Sequence, residues 1–578
     1  MRSIASGSTQ CLSPQNMKIF TRIILLMALI SVIAIDGCKN NKSKMQKELL
    51  TFIKKFDSVV QPLTKESSLA YWNASISGKD EDWKKSEDLN IELTKVFSNK
   101  EDFATLKRIK ESDAITDELL KRQLEVMYNA YLGNQVDTAL LNSAIKMQTE
   151  VEKKYSNFRA DVNGKKLSDN EVEDVLKTST NSVELQQAWE GHKAIGPVVA
   201  EDIINLVKKR NEIAKQLGFA SYHEMSLKLS EQDPEVISNL FDELDNLTRD
   251  AFAGLKGEID TFLSARNKVK TDELMPWHYQ NRFFQEAPAI YSVDLDKYYK
   301  GQNIETLTTD YYASIGLDIN DMIAKSDLYE KPGKNQHAYC IDIDNLGDVR
   351  VLCNIKPNYN WMNTMLHEFG HANYDKYIDG QLPFSLRNPA HTFTTEAIAM
   401  FFGRMGSNAR FLVGMKLTDT ADARKVADEA FKVLRLEQLT FSRWAQVMYR
   451  FEKELYANPD QDLNALWWDL VEKYQMIKRP AGRNLPDWAS KIHIATSPCY
   501  YHNYLLGELL ASQFNHYIAA DVLKSDDFGQ SYFGNKEVGN YLKEKIFKPG
   551  ARYSWNEMIE KATGEKLTAK YYAEQFVN

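Results

Sequence analysis

Apolar residues spaced three and four positions apart dominate the sequence from Lys42 to about Asp272, and this spacing constrains the fold more than any other feature. Stretches such as 184–191 and 199–217 carry charged residues between the apolar ones, which is typical of amphipathic helices. The 15 prolines and 26 glycines do not cluster into a linker. The sequence therefore predicts a mostly α-helical protein, in which residues 39–578 form one large helical body that could be divided into two lobes.

The helical pattern is interrupted near the middle of the chain. Residues 276–286 (PWHYQNRFFQE) form a dense aromatic and amide cluster, and two β-rich runs follow at 338–343 and 349–355. The turn-forming residues 344–348 between these runs predict an antiparallel hairpin. Cys340 and Cys353 either pair across this hairpin or remain free thiols, because the sequence favours neither state.

Residues 1–38 have the character of an export leader whose translation starts at Met17. A charged segment precedes an apolar run at 23–35, which is too short to span a bilayer and has the length of the apolar region of a signal peptide. The run ends just before Cys38, in a segment that resembles a bacterial lipoprotein box. We therefore expect an exported periplasmic protein that a lipid on Cys38 anchors to the membrane. The alternative is cleavage near Gly37, which would give a soluble periplasmic protein.

A helical segment at 362–374 contains the sequence His367-Glu368-Phe369-Gly370-His371. The spacing of four places both imidazoles on one face of the helix, one turn apart, so that both can bind one zinc ion. Glu368 points away from that face and can reach a water on the metal without binding the metal itself. Zinc lowers the pKa of such a water to about 7, so that Glu368 can act as its general base near neutral pH.

The third zinc ligand is predicted to be Glu396. Metzincins require a glycine and a histidine soon after the motif, but positions 374 and 377 are both tyrosine, which excludes that class. Glu396 begins a second helical run, and a carboxylate on a neighbouring helix is how gluzincins complete a His₂Glu site with a fourth position for water. His391 is the competing ligand. The sequence thus predicts one zinc ion per chain.

Several further segments accompany these ligands and together resemble one family. They are Leu382–Arg387, Glu396–Ile398, Ala70–Asn73, Ala188–Glu190, Lys209–Glu212, Lys473–Gln475 and Lys491–Ile494. Their order and content resemble the angiotensin-converting enzyme family of zinc peptidyl dipeptidases, over nearly the whole mature chain. The resemblance implies an ellipsoidal helical body with a deep central channel, which lid helices narrow so that oligopeptides are its substrates.

The resemblance also implies roles for residues near the C-terminal end. Lys491 is expected to bind the C-terminal carboxylate of the substrate, and His493 to bind the tetrahedral intermediate. Tyr501 is expected to assist Lys491, and Tyr504 to stabilise the oxyanion. One residue is inserted between His493 and Tyr501 relative to the family spacing, so Tyr500 is a rival for the role of Tyr501.

Three further substrate-binding residues follow from the resemblance. His337 and Ala338, at the start of the predicted hairpin, match the edge-strand residues that bind the peptide backbone. Pairing of a substrate with an edge strand fixes its register without reading its sequence, which suits broad specificity. Gln280, in the aromatic cluster, is expected to be the glutamine that helps to bind the substrate carboxylate.

The chain departs from the family at three places. The positions that match the chloride-binding arginines are Leu227, Val471 and Asn503, so chloride dependence is not expected. Met400 replaces the acidic residue one turn after the ligand glutamate, so the zinc histidines need another carboxylate for support, and Asp375 is the candidate. The family disulfide is absent, because Gln336 occupies the position of the cysteine that would pair with Cys353.

These observations predict an exported zinc peptidase that removes C-terminal dipeptides from oligopeptides. A thimet-type oligoendopeptidase is the first alternative, and an inactive zinc-bound peptide-binding protein is the second. The net charge of −8 and the absence of a long basic run give no reason to expect a nucleic-acid partner. The membrane is expected as a partner only through the lipid on Cys38.

Overall fold

Helices make up most of the chain in the computed structural model, which describes residues 14–291 and 293–577, with side chains from residue 42 onward. The first half contains α1 Pro14–Ser77, α2 Asp80–Phe97, α3 Lys100–Glu111, α4 Glu118–Gly133, α5 Thr138–Asn157, α6 Asp169–Thr178, α7 Ser182–Lys193, α8 Gly196–Gln216, α9 Tyr222–Leu229 and α10 Pro234–Asn267. The mostly helical class predicted from the sequence is therefore confirmed.

Shorter helices alternate with long ones in the second half. They are α11 Asp296–Tyr299, α12 Ile304–Ser314, α13 Asn320–Ile323, α14 Tyr359–Lys376, α15 Thr392–Gly403, α16 Ala409–Gly414, α17 Thr420–Ala457, α18 Leu463–Leu470, α19 His493–Thr496, α20 His502–Tyr517, α21 Lys536–Leu542, α22 Trp555–Thr563 and α23 Lys570–Phe576. Within the described part of the chain, no helix has both the length and the apolar content needed to cross a bilayer.

The leader predicted at 1–38 lies largely outside this description. Residues 1–13 are outside the described residues, and the backbone of the remainder belongs to α1, whose side chains are described only from residue 42. The predicted lipidation of Cys38 therefore concerns a side chain outside the described set, and it stays a prediction.

Two antiparallel hairpins are present among the described residues. The predicted one consists of β3 Tyr339–Asp342 and β4 Val349–Leu352, in a register that pairs Tyr339 with Leu352. A second hairpin, β1 Ala160–Val162 with β2 Lys165–Leu167, interrupts the region predicted as helical. Asn163 and Gly164 connect its strands with φ values of 56° and 81°. An Asn-Gly pair is the usual sequence for this tight turn, because both positions need a positive φ.

A close approach of three helices builds the centre of the molecule. A Cβ on Gly370 of α14 would lie 2.9 Å from the Cα of Ala399 in α15, so only glycine permits this contact. A Cβ on Gly507 of α20 would lie 3.1 Å from Sδ of Met400 and 3.3 Å from Cβ of Glu396. Two glycines thus let α15 pack tightly between α14 and α20, the helices that carry the predicted site residues.

The buried apolar side chains form one large cluster and several small ones. The large cluster includes residues from Val151 to Phe576. A separate small cluster joins α1, α3 and α4 through residues such as Phe52, Leu106 and Tyr131. The N-terminal helices therefore have a core of their own and lie over the larger body, with Thr64 and Ser68 of α1 lining the cavity that contains the predicted zinc site.

The buried Lys334 connects the two segments that the disulfide of the family would link. Cys340 and Cys353 are free thiols, as is Cys499. Beside Cys353 the buried Lys334 ammonium donates to the Asp327 carboxylate at 2.8 Å, to the Tyr329 carbonyl at 2.8 Å and to the Cys353 carbonyl. Hydrogen bonds from one cation therefore connect the start of the β3 segment to the end of β4.

Candidate active site

His367, His371 and Glu396 converge on one point between α14 and α15. The Nε2 atoms of the two histidines lie 3.3 Å apart, and Oε2 of Glu396 lies 3.7 Å from Nε2 of His367 and 3.8 Å from Nε2 of His371. Zinc bonds of about 2.0–2.1 Å in tetrahedral geometry require ligand atoms separated by roughly 3.3–3.5 Å. In the described residues this is the one group of three or more such side chains with metal-binding geometry.

The protonation states of the three groups suit a cation. Burial lowers the pKa of His367 to about 4 and that of His371 well below its usual value, so both imidazoles are neutral near pH 7. Burial, with a contribution from Glu508, raises the pKa of Glu396 to about 7. Two neutral imidazoles and a poorly solvated carboxylate are a donor set that a divalent cation would stabilise, so the residues fit zinc.

Glu368 lies beside these ligands and is 8 % exposed. Burial and the Glu396 carboxylate raise its pKa to about 8. It lines the same cavity as the three ligand residues, a space of about 700 Å³. A carboxylate in such a setting is a strong base towards a nearby water, as predicted for this position in the motif.

Thr395 supports His371, and sequence reasoning missed it. Its hydroxyl lies 2.7 Å from Nδ1 of His371, the nitrogen that carries the proton when Nε2 binds a metal. The prediction that Asp375 supports a zinc histidine is wrong, because Asp375 contacts the Cys340 thiol at 3.8 Å. Met400, the unusual residue in this region, packs against Gly507. The sequence feature that could have predicted this support is the hydroxyl residue directly before Glu396.

His391, the competing ligand, has a different contact. It is the N-cap of α15, where its Nδ1 accepts the backbone N–H of Phe393 at 3.1 Å. A ring nitrogen that accepts this bond keeps the helix start in place. The side chain therefore fixes the helix that carries Glu396.

Strand β3 borders the same cavity. In the described residues β3 pairs only with β4, and a parallel bridge from Asp327 to Leu352 lies on the far side of β4. All five residues from Ala338 to Asp342 line the cavity, so the strand borders it along its whole length. His337 is exposed just before the strand, with its backbone N–H donating to Asn335 Oδ1 at 3.0 Å.

A second polar group surrounds Lys491. The Lys491 ammonium contacts Oε1 of Gln285 at 2.5 Å and lies 5.4 Å from the ring centre of Tyr501. The rings of Phe283 and Trp444 lie at 5.1 and 5.3 Å from the same nitrogen. Burial and the nearby Arg282 lower the pKa of Lys491 to about 7, and carboxylates on neighbouring segments partly oppose this change.

Gln280 is not the glutamine beside Lys491. Its side-chain nitrogen donates to the Lys177 carbonyl at 3.3 Å, and its oxygen accepts the Ala289 N–H at 3.0 Å. Its backbone has a φ of 59°. Gln280 therefore holds the shape of the aromatic segment, whereas Gln285, five residues later, contacts Lys491.

Ring contacts connect the Lys491 group to His493 and Tyr504 through Tyr501. The His493 and Tyr501 rings are 5.5 Å apart, and Tyr501 and Tyr504 are also 5.5 Å apart. Tyr504 lies one turn before Gly507 on α20, and Gly507 packs against Glu396. Burial, with the Glu396 carboxylate as the second cause, raises the pKa of Tyr504. Tyr500 lines a cavity that adjoins the one with the zinc ligands and shares His391 with it. Of the two rival tyrosines, Tyr501 is the one whose ring lies beside the Lys491 ammonium in the described residues.

Comparison with known proteins identifies the family. The sequence profile of the angiotensin-converting enzyme family matches residues 43–576, which is nearly the whole chain. The chain belongs to this family. It is therefore a zinc metallopeptidase, as the motif and the third ligand predict.

Relatives within the angiotensin-converting enzyme family are distant in sequence. An angiotensin-converting enzyme from Theromyzon tessulatum is 23 % identical over 600 residues, covering 95 % of this chain and 94 % of that protein. One from Rattus norvegicus is 22 % identical, with coverage of 71 % of this chain and 33 % of that protein. One from Mesocricetus auratus is 21 % identical, with coverage of 91 % and 42 %. The chain thus spans less than half of the two rodent proteins.

Proposed function

We propose that this protein is a peptidyl dipeptidase that holds one zinc ion per chain and releases C-terminal dipeptides from oligopeptides. The environment of Lys491 carries the proposal. The side chain is 5 % exposed, and no carboxylate of the described residues lies within ion-pair distance of its nitrogen. A buried cation with an amide and a phenol ring beside it is suited to a carboxylate supplied by the substrate.

The ring contacts connect this clamp to the reacting centre. Tyr501 touches both Lys491 and Tyr504, and Tyr504 is close enough to Glu396 for its pKa to be affected. A peptide whose C-terminal carboxylate lies at Lys491 would pass His493 and Tyr504 before it reaches the metal ligands. An exopeptidase that counts residues from the C-terminus needs this arrangement.

Different residues of the chain have separate roles in the proposed reaction. When bound, zinc supplies a Lewis acid that polarises the scissile carbonyl and the attacking water. Glu368 accepts the proton of that water and transfers it to the leaving amine. Tyr504 and His493 donate hydrogen bonds to the developing oxyanion, and loss of one such donor typically costs about 3 kcal/mol. His337 and Ala338 hold the peptide backbone at the edge of β3.

Product mapping by mass spectrometry tests the proposal against an oligoendopeptidase. Free-acid peptides should lose a C-terminal dipeptide, and the same peptides with a C-terminal amide should be cleaved at least about tenfold more slowly. Gln285→Leu should raise KM for free acids, whereas Gln280→Leu should lower thermal stability and leave the ratio of acid to amide unchanged. Equal cleavage of acids and amides at internal bonds would support the oligoendopeptidase instead.

Loss of the general base distinguishes an enzyme from an inactive binding protein. Glu368→Gln should reduce turnover by at least about a thousandfold while zinc content stays near one ion per chain. The isosteric Gln keeps the size of the side chain and removes only its basicity. Turnover that survives this substitution would show that another group accepts the proton.

Export and lipid anchoring remain part of the proposed function. The apolar run at 23–35 and the position of Cys38 support a lipoprotein leader. The wild-type protein should be found in the membrane fraction, and Cys38→Ser should release it to the soluble periplasmic fraction. Equal distribution of both variants would remove the lipid anchor from the proposal.

A further inference from the structure

Asp375 has an unusual position for a carboxylate. It follows His371 by one helical turn on α14, so that His367, His371 and Asp375 share one face. Asp375 lines the same cavity of about 700 Å³ as Glu368 and the metal ligands. No lysine or arginine of the described residues pairs with it, and its recorded contact is the Cys340 thiol at 3.8 Å.

The surrounding groups leave Asp375 short of positive charge. Asp342, two residues after Cys340 on β3, lines the same wall and accepts the backbone N–H groups of Asn345 and Gly347 in the hairpin turn. Arg387 is the one lysine or arginine among the residues that line this cavity, and its Nε donates to the Leu382 carbonyl. Burial, with Asp342 as the second cause, raises the pKa of Asp375 to about 8. A cation beside Asp375 would therefore stabilise its ionised carboxylate against both the cost of burial and the repulsion from Asp342.

The cavity lies on the amino side of the bond that would be cleaved. Lys491, Gln285 and Tyr501 are absent from its described lining, which instead contains Ala338 to Asp342, the metal ligands and Asp375. If the Lys491 group holds the C-terminal end of the peptide, residues on the amino side of the scissile bond continue into this space. Those residues run along β3, past Cys340, towards Asp375.

We propose that Asp375 is a specificity-determining residue that selects peptides carrying a cation on the amino side of the cleaved bond. The cation is the side chain of a lysine or arginine, or the α-ammonium group of a short peptide. This inference rests on the proposed function, because the direction of the peptide follows from the Lys491 clamp. Asp375 takes no part in the bond-breaking steps, so it should affect the choice of substrate more than the chemistry.

Matched blocked peptides test the proposal. Acetyl-Ala-Xaa-Ala-Ala and acetyl-Xaa-Ala-Ala-Ala, with Xaa as lysine or norleucine, differ only by a charge at one of two positions. A carboxylate–ammonium contact at a buried site predicts that kcat/KM for the preferred lysine peptide exceeds that of its norleucine partner by about 10- to 100-fold. The unblocked peptide Ala-Ala-Ala, compared with its acetylated form, tests the α-ammonium group in the same way.

Asp375→Asn should reduce the preference to about onefold while the norleucine peptides keep their rates within about threefold. The variant retains the shape of the side chain, and Asp310→Asn, at an exposed position of α12 without a recorded hydrogen bond, is the matched control that should keep the preference. If no wild-type comparison favours the cation, or if Asp375→Asn keeps the preference, the proposal is overturned. The comparison of lysine and norleucine peptides with the wild-type protein tests the proposal even if Asp375→Asn does not fold.

The cleavage position separates this inference from the proposed function. Release of Ala-Ala from all blocked tetrapeptides at similar rates would leave the dipeptidase proposal intact and remove the role of Asp375. Cleavage at another bond would contradict the dipeptidase proposal, and the cation preference would then be measured relative to the bond that is cut.

Discussion

The low pKa of Lys491 predicts that substrate affinity depends on pH through the C-terminal carboxylate. The pKa is lowered from 10.5 to about 7, first by burial and next by Arg282, while Glu286 and Glu173 oppose the change. At about 1.36 kcal/mol per pKa unit, the empty site disfavours the ammonium by about 5 kcal/mol relative to water. A substrate carboxylate beside Lys491 offsets much of this cost, so the pKa of Lys491 should rise on binding.

The direction of the pH dependence follows from the pKa of Lys491 in the free enzyme and its rise on substrate binding. Below pH 7 Lys491 is already protonated in the free enzyme, and a carboxylate binds without proton uptake. Above pH 7 the free enzyme carries a neutral amine, so binding must take up a proton and becomes weaker as pH rises. For a pKa of about 7, kcat/KM for free-acid peptides should fall about tenfold by pH 8 and about thirtyfold by pH 8.5, relative to pH 6.

The ratio of kcat/KM for a free-acid peptide to that for its amide isolates this effect. Titration of Glu368 or of the metal ligands affects both peptides and cancels in the ratio. Lys491→Met should lower the ratio and make it independent of pH, whereas Lys85→Met, at an exposed position, should reproduce the wild-type curve. A wild-type ratio that stays flat from pH 6 to pH 8.5, or one that falls equally in Lys491→Met, would refute the reasoning.

Three further predictions test other parts of the structure. Thr395→Val should weaken zinc affinity about tenfold, measured by chelator competition. Thr364→Val, which removes a hydroxyl that donates to the Asn360 carbonyl of α14 itself, should not, and equal affinities would exclude support of His371 by Thr395. Lys334→Met should lower the free energy of unfolding by about 3 kcal/mol, because it leaves the Asp327 carboxylate and three carbonyls without their shared donor. Lys331→Met, which removes an exposed partner of the same Asp327, should cost less than about 1 kcal/mol in the same denaturation experiment, and similar losses would contradict the argument. Activity should stay within about twofold when chloride replaces acetate at constant ionic strength, since the Asn503 amide oxygen accepts from Gln232 at 2.7 Å; strong activation would contradict this.

The metal ligands were predictable because helical periodicity places them. The i, i+4 spacing of His367 and His371 fixes their common face without any tertiary information. Glu396 required one further fact, that α15 lies against α14, and Gly370 inside the motif permits that contact. The β1–β2 hairpin was missed because three-residue strands are too short to show alternation, although Asn163-Gly164 indicated the turn.

The glutamine near Lys491 could not be chosen from the sequence by periodicity. Gln280 and Gln285 both lie in the aromatic segment, which is neither helix nor strand, and Gln280 and Phe284 have φ values of 59° and 51°. Two residues with positive φ within five positions change the direction of the chain twice. No repeating rule then says which side chain reaches Lys491, and tertiary contacts with Lys177, Ala289 and Lys491 decide it.

The error about Asp375 shows the limit of the same periodic reasoning. Spacing of four correctly places Asp375 on the face of His371, but each turn also advances about 5.4 Å along the helix axis. The carboxylate is thereby carried past the imidazole to the Cys340 thiol on β3, and the Thr395 hydroxyl on α15 supports His371 instead. Among the described residues, the Asp375 carboxylate reaches neither a zinc histidine nor a lysine or arginine, so it lies on the cavity wall without a cation beside it. The physical reason for the wrong prediction is therefore also the reason to expect Asp375 to act on the substrate.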